Sequence, residues 1–194
     1  RTAGVQWVFI AVLVLAALWT AQVMSSAWIR VWGDKFLSGQ KFQRAEKLYK
    51  TAGWIDPQNW CTRLGLGQVY YHHRYSELNP ARKKEWALKE QANYLAAYQY
   101  NAKKAEIVYG LGCVELFLGS RDKGLDYLRE VAGYKRFNDF YWRKLGIELR
   151  KAGLYDEALN AFEYAQKLYP SNPVVKRNIQ WLNRRKSEIK LRRF

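Results

Sequence analysis

The best candidates for metal binding or nucleophilic catalysis in this sequence are its two histidines and its two cysteines, His72, His73, Cys61 and Cys113. Neighbouring residues on a helix diverge by about 100°, so the adjacent histidines do not chelate one ion as an i, i+4 pair would. The cysteines have neither CxxC nor Cys/His zinc spacing, and no recognisable base partner. We expect the histidines at a solvated helix end and the cysteines as small apolar residues.

A second candidate is the segment Gly65-Leu66-Gly67-Gln68-Val69-Tyr70, which begins like a dinucleotide-binding fingerprint. Tyr70 stands where that fingerprint has its third glycine, and no strand is predicted before it. The sequence also contains no P-loop, no GxSxG and no HExxH. We therefore expect a protein that is not an enzyme, with no catalytic residues, no metal and no cofactor.

The amino-terminal segment is the most apolar part of the chain, since residues 2–29 contain no charged side chain. Residues 5–24 would form a helix about 30 Å long, which is the thickness of the hydrocarbon core of a bilayer. Helices of soluble cores seldom stay apolar on every face for so long, and the apolar region of a signal peptide is shorter. We predict a transmembrane anchor at residues 1–25 of a single-pass membrane protein.

Basic residues indicate the side of the membrane. Arg30, Lys35, Lys41 and Arg44 follow the span closely, whereas Arg1 alone precedes it. The positive-inside rule then favours the cytoplasmic side for the rest of the chain. Two free thiols agree with a reducing compartment.

The remainder of the chain contains an internal repeat with a period of 34 residues. Leu111-Gly112, Gly119, Gly124, Leu128 and Val131 recur as Leu145-Gly146, Gly153, Ala158, Phe162 and Ala165. Between these positions apolar residues are spaced by three and four, which predicts helices, and the central glycine marks a turn. The sequence therefore predicts consecutive helical hairpins.

The best copy of this repeat resembles the consensus of the tetratricopeptide repeat (TPR) family. The matching positions are Trp142, Leu145-Gly146, Leu149, Gly153, Tyr155, Ala158, Phe162, Ala165 and Pro170. The frame gives an array over residues 26–172, with repeats 26–59, 60–104, 105–138 and 139–172. The second repeat carries an insertion, and Asn79-Pro80 predicts an early start for its second helix. Residues 173–194 would form a capping helix and a basic tail.

The resemblance implies an all-α fold with one N-terminal transmembrane helix, a right-handed α-solenoid of about four helical hairpins and a C-terminal capping helix. In this family the first helix of each repeat lines a concave groove that binds a peptide or a helix. The corresponding positions here are Leu64, Gln68, Tyr71, Tyr109, Cys113, Leu116, Phe117, Phe140, Arg143, Ile147, Arg150 and Lys151, with Arg177, Trp181 and Arg184 on the capping helix. Such a groove would be aromatic at one end and basic at the other, which suits a partner with apolar anchors and acidic groups.

The chain carries a net charge of +16, of which +7 lies in residues 173–194. The basic residues nearest the end are Arg184, Arg185, Lys186, Lys190, Arg192 and Arg193. Beside a bilayer each would add about 1 kcal/mol of attraction to anionic lipid headgroups. A solvated tail and an acidic protein partner are alternative interpretations, and nucleic acid binding is disfavoured because no recognition motif is present.

These features predict a membrane-anchored TPR scaffold for protein–protein interaction, acting as an accessory subunit or assembly factor of a membrane protein complex. Its partners would be subunits of that complex or peptide segments in the groove, together with the lipid bilayer. The alternative is the C-terminal TPR portion of a larger polytopic membrane enzyme, such as a glycan transferase that resembles the O-antigen ligases and polymerases. The absence of an initiator methionine motivates this alternative.

Overall fold

The computed structural model describes the backbone of residues 2–191 and the side chains of residues 7, 8 and 10–188. Every regular element in that part of the chain is an α-helix. The helices are α1 (Thr2–Ser38), α2 (Phe42–Ile55), α3 (Trp60–Ser76), α4 (Pro80–Tyr100), α5 (Ala105–Phe117), α6 (Arg121–Tyr134), α7 (Asp139–Lys151), α8 (Tyr155–Leu168) and α9 (Pro173–Leu191). The predicted all-α fold is confirmed over these residues.

The chain divides after Ala102 into two compact units, the first containing α1 to α4 and the second α5 to α9. Within each unit, helices that follow one another in sequence pack together. Helices α1 and α2 run antiparallel: Gln22 in α1 contacts Ile55 at the end of α2, whereas Asp34, farther along α1, contacts Tyr49, earlier in α2.

The helix boundaries follow from local sequence chemistry. The side-chain oxygen of Asn79 accepts hydrogen bonds from the backbone N–H groups of Ala81 and Arg82, at 2.9 and 3.2 Å, and Pro80 is the first residue of α4. The predicted start of this long helix is therefore confirmed. Gly119 and Gly153 have φ of +91° and +81°, a left-handed conformation that only glycine adopts without strain, and each lies in the turn of a hairpin.

The glycines of the fingerprint-like segment make room for aromatic rings. A Cβ atom on Gly67 would lie 2.6 Å from Cε1 of Tyr94, a buried residue of α4. In the second unit Gly146 has the same function, because a Cβ there would lie 3.0 Å from Cε2 of the fully buried Phe162. These close approaches hold the two helices of each hairpin together.

Helix α9 completes the core of the second unit. Its Val175 and Leu182 are fully buried in one cluster with Leu128, Leu145 and Phe162. The predicted capping helix is therefore present, and it covers the apolar face of α8 that would otherwise be exposed.

Helix α1 continues through the predicted boundary between anchor and first repeat, with no break near residue 25. Its part Ile10–Ser38 is long and apolar enough to cross a membrane, by length and composition. Only 6% of the most apolar stretch is buried against the rest of the protein. A core helix of a soluble protein would be mostly buried, so α1 does not have the environment of one.

Candidate functional site

The predicted groove residues lie in both units. Leu64, Gln68 and Tyr71 lie on α3 in the first unit. The others lie on α5 and α7 in the second unit: Tyr109, Cys113, Leu116, Phe117, Phe140, Arg143, Ile147, Arg150 and Lys151. We describe the surface of each unit separately.

On α3 the predicted residues form a polar and aromatic surface. Leu64 and Gln68 are half-buried, and Tyr71 is exposed. The guanidinium of Arg74 lies 5.3 Å from the centre of the Tyr71 ring, and its Nε donates a 2.7 Å hydrogen bond to Glu90. Burial raises the pKa of Glu90, although the charge of Arg74 counteracts this. This ion pair ties α3 to α4, so it stabilises the surface without being free to bind a ligand.

The two histidines lie near the end of α3, as expected, but the expectation that they are solvated is wrong. His72 stacks on the ring of Phe42 in α2, with centroids 4.4 Å apart, and Nε2 of His73 lies 3.2 Å from a carboxylate oxygen of Glu46. Both histidines are half-buried. Burial, together with the neighbouring His73, lowers the pKa of His72. Exposure was expected from the position of the histidines on α3 alone. Helix α2 packs on both rings, and that contact cannot be inferred from the position.

In the second unit the structure brings together aromatic side chains of α5 and α7. The ring of Tyr109 lies 5.3 Å from that of Phe140 and 5.9 Å from that of Tyr141, in edge-to-face contacts. Cys113 and Leu116 are half-buried beside them on α5, and Phe117 is 44% exposed. Sequence reasoning missed Tyr141, whose only signal was its position next to Phe140. Its pKa is raised by burial and by the charge of Glu106.

A stripe of side chains on α7, which we call the α7 face, continues from this aromatic cluster. It consists of Phe140, Arg143, Ile147 and Arg150, whose spacing of three, four and three residues places them on one side of the helix. The guanidinium of Arg143 lies 5.7 Å from the centre of the Phe140 ring. That of Arg150 lies 5.0 Å from the centre of the Trp181 ring in α9. Each arginine of the α7 face therefore lies beside an aromatic ring, Arg143 beside Phe140 and Arg150 beside Trp181.

The two arginines of the α7 face retain unused hydrogen-bonding capacity. The Nε atoms of Arg143 and Arg150 are buried and have no hydrogen-bond partner among the described residues. Arg143 forms a long ion pair with Asp139, whose carboxylate oxygen lies 3.6 Å from Nε, too far for a hydrogen bond. By contrast, the exposed Lys151 forms a 2.7 Å ion pair with Glu148. Arg143 and Arg150 are therefore better suited than Lys151 to receive an acidic ligand.

The basic residues near the carboxy terminus are partly paired. Arg185 contacts Glu188 at 2.9 Å, Lys186 contacts Asp156 at 2.6 Å, and Arg184 is exposed. Arg192 and Arg193 lie outside the described residues, as does the side chain of Lys190. Within the part of the chain that the structure describes, no group of three or more His, Cys, Asp or Glu side chains is placed to hold a metal ion.

Sequence reasoning also missed a cleft of about 360 Å³ between α6, α7 and α8. An ion pair of 2.9 Å between Arg129 and Glu157 lies at its edge, and the rings of Trp142 and Tyr164 lie in it, 4.5 Å apart. None of the predicted groove residues lines this cleft. Its residues are spread over two repeats and three helices, so no single sequence pattern indicated it.

Comparison with known proteins supports the repeat assignment. Residues 139–172 match the tetratricopeptide repeat family model. The fold is similar to that of MamA, with a TM-score of 0.71, 20% identity, and coverage of 84% of this chain and 82% of that chain. It is also similar to YrrB, a TPR protein with an unusual peptide-binding site, with a TM-score of 0.68, 20% identity, and coverage of 82% and 76%.

A thermophilic TPR protein of Thermus thermophilus is a further structural neighbour, with a TM-score of 0.66, 18% identity and coverage of 79% of each chain. Among curated proteins, no sequence matches the chain significantly. The chain carries a tetratricopeptide repeat at residues 139–172 and has the fold of tetratricopeptide-repeat proteins.

Proposed function

We propose that this protein is a membrane-anchored scaffold whose α7 face binds an acidic segment of a partner, as an accessory subunit or assembly factor of a membrane protein complex. The observation that carries the proposal is the pair of buried Nε atoms of Arg143 and Arg150, which lie beside aromatic rings and have no hydrogen-bond partner among the described residues. The proposal assigns no catalytic step to the chain.

The spacing of the two arginines specifies the ligand. They are seven residues apart on α7, which corresponds to about 10 Å along the helix. Three residues of an extended peptide span about the same distance. Guanidinium groups pair bidentately with carboxylates, so we expect a segment with two acidic residues three positions apart. The rings of Tyr109 and Phe140 would receive an apolar side chain of the same segment.

The anchor is the exposed apolar part of α1. Leu13, Leu15 and Leu18 are each more than 60% exposed, which in water would leave a continuous apolar surface on an isolated helix. A bilayer removes that surface from water. The alternative is a cleaved signal sequence, but such a sequence would not be expected to continue without a break into a helix of the folded domain. The positive-inside rule favours the cytoplasmic side for the repeats.

Photo-crosslinking in cells tests the ligand site. The photoreactive residue p-benzoylphenylalanine replaces Phe140 in one variant and Phe137, which is 76% exposed in the loop before α7, in the matched control. We expect a discrete adduct at position 140 that is lost in Arg143→Glu/Arg150→Glu and kept in Lys123→Glu, which changes an exposed charge on α6. Equal adducts at both positions, or an adduct indifferent to the arginines, would refute the site.

Thiol labelling tests the side of the membrane. Leu78, in the loop between α3 and α4, is 90% exposed, so Leu78→Cys gives an accessible thiol in a background with Cys61→Ala and Cys113→Ala. A membrane-impermeant maleimide should label it only after the cells are permeabilised. Labelling in intact cells would place the repeats on the opposite side.

The basic residues from Arg184 onward are proposed to contact anionic headgroups. A fluorophore on Ser187→Cys should respond to anionic lipid in vesicles and lose that response at high salt, because the attraction is screened. The same response in purely zwitterionic vesicles would exclude a charge-based contact.

A further inference from the structure

Two hydrogen bonds join α1 to the end of α2 where the apolar part of α1 gives way to the first hairpin. Nε2 of Gln22 donates to the backbone carbonyl of Ile55 at 2.6 Å, and the hydroxyl of Ser26 donates to that of Ala52 at 3.2 Å. Ser26 is fully buried. Because α1 is continuous here, no flexible linker separates its apolar part from the first hairpin.

The charges on this hairpin fix where hydrocarbon must end. The predicted span, residues 5–24, forms about 30 Å of helix, which is one hydrocarbon thickness. Beyond Gln22, α1 carries Arg30 and Asp34 as an ion pair at 2.7 Å. The neighbouring α2 exposes Lys47 and Lys50. These residues, and Asp56 beside Gln22 in the α2–α3 loop, are too polar for the bilayer interior, so the boundary lies near Gln22 and is level with Ile55.

The loop between α2 and α3 is therefore next to the boundary of the hydrocarbon, and an exposed tryptophan lies beside this loop. Trp54, in the last turn of α2, is 83% exposed. Trp19, one turn before Gln22 on α1, is 66% exposed, and it lines a small cleft with Gln22, Ile55 and Gln58. Tryptophan favours the headgroup region of a bilayer, where its ring is out of water and its N–H group still finds a partner.

We propose that the end of α2 and the α2–α3 loop form a membrane-contact surface, in which Trp54 inserts among the lipid headgroups and holds the first hairpin rigidly on the bilayer. The inference rests on the proposed function of α1 as a membrane span. The occupant of this surface is lipid, because the surface is continuous with the span and level with its end. The first unit, seated in this way, presents its remaining surfaces at a fixed height above the membrane.

The first unit also supplies a matched control loop. Helix α3 runs antiparallel to α2, since Gly53 near the end of α2 lies beside Thr62 at the start of α3, whereas Glu46 contacts His73 near the end of α3. The α3–α4 loop is therefore separated from the α2–α3 loop by the length of α3, about 25 Å. Leu78 in that loop is exposed, as Gln58 is, but lies far from the proposed contact.

The experiment measures depth in the bilayer with an environment-sensitive fluorophore. The full chain, with Cys61→Ala and Cys113→Ala, carries one new cysteine at Leu15, Gln58 or Leu78, is labelled with a nitrobenzoxadiazole group and is reconstituted into phosphatidylcholine/phosphatidylglycerol vesicles. Quenchers are lipids with a nitroxide either on the headgroup or deep in the acyl chain. We expect the deep quencher to act at position 15, the headgroup quencher to remove most of the emission at position 58, and neither to act at position 78.

The outcomes separate the two proposals. If position 15 is not quenched by the deep nitroxide, the anchor itself is refuted. If position 15 is quenched and position 58 is not, or if positions 58 and 78 respond equally, the seated loop is refuted and the anchor stands. A loop that binds a protein partner instead of lipid would also leave position 58 unquenched, because the vesicles contain no such partner and the loop would stay in water. Trp54→Ala should restore most of the emission at position 58; unchanged quenching would refute the role of Trp54.

Discussion

The ring of Tyr49 occupies the space that the absent side chain of Gly65 leaves open. A Cβ atom on Gly65 would lie 2.5 Å from Cε1 of that ring, and one on Gly33, from α1, would lie 2.8 Å from the same atom. The ring is fully buried between α1 and α3, and its hydroxyl donates a 2.7 Å hydrogen bond to Asp34. Three helices therefore meet at one side chain that cannot move aside.

Gly65→Ala should destabilise the first unit. Alanine favours a helix over glycine by about 1 kcal/mol, but overpacking against an immobile ring costs about 1–3 kcal/mol. We expect a net loss of about 1 kcal/mol in the free energy of unfolding, measured by circular dichroism in detergent. Gly133→Ala in α6 is the control, since nothing lies within 4 Å of the added methyl and only the helix propensity changes. Equal stabilisation by both substitutions would show that the Tyr49 ring is not fixed.

Gly153→Ala tests the backbone of the turn between α7 and α8. Gly153 has a φ of +81°, and a methyl group added at its Cα would meet nothing within 4 Å, so conformation alone decides the result. A non-glycine residue in this region is strained by about 1–2 kcal/mol, whereas asparagine tolerates it better. Gly153→Ala should lower the free energy of unfolding by about 1 kcal/mol, and Gly153→Asn by less. A ranking with alanine above asparagine would contradict the left-handed turn.

The pairing of Glu46 predicts a pH dependence of stability. Burial raises the pKa of this carboxyl, but Lys50 at 2.7 Å and His73 at 3.2 Å outweigh burial and hold the pKa below its ordinary value of 4.5. A lowered folded-state pKa stabilises the fold above 4.5, and that contribution is lost as the pH falls through the folded-state value.

Glu46→Gln should therefore be less stable than the unsubstituted chain at pH 7, and the difference should shrink as the pH falls below 4.5. Urea denaturation at several pH values measures this difference. Glu85→Gln is the control, because its ion pair with Lys89 is exposed on both sides and contributes little. A difference that grows towards acid would contradict the assignment.

How far the sequence predicts the structure depends on whether a feature is local or repeated. Gly146 and Phe162 were recognisable because the same pair of positions recurs 34 residues earlier as Gly112 and Leu128. Contacts between helices that do not recur from one repeat to the next could not be recognised from the sequence. The stacking of His72 on Phe42 and the bond from Gln22 to Ile55 depend on how α2 packs, and no periodicity encodes such contacts. The same holds for the exposure of Trp54 at the end of α2.

Arg150 provides the sharpest test of the ligand chemistry, because its substitution by lysine keeps the charge but removes the planar fork. A hydrogen bond to a charged group contributes about 1.5–3 kcal/mol, so Arg150→Ala should weaken binding of a Glu-x-x-Glu peptide about 10- to 100-fold in calorimetry. Arg150→Lys should retain only part of the affinity, since an ammonium pairs with a carboxylate at a single point.

A Gln-x-x-Gln peptide is the matched ligand control and should not bind measurably. Affinity for the acidic peptide should also fall as salt is raised, because the charge pairs are partly screened. If Arg150→Lys binds as tightly as the unsubstituted chain, the α7 face acts only through net charge, and the fixed spacing of Arg143 and Arg150 has no role in selecting the partner.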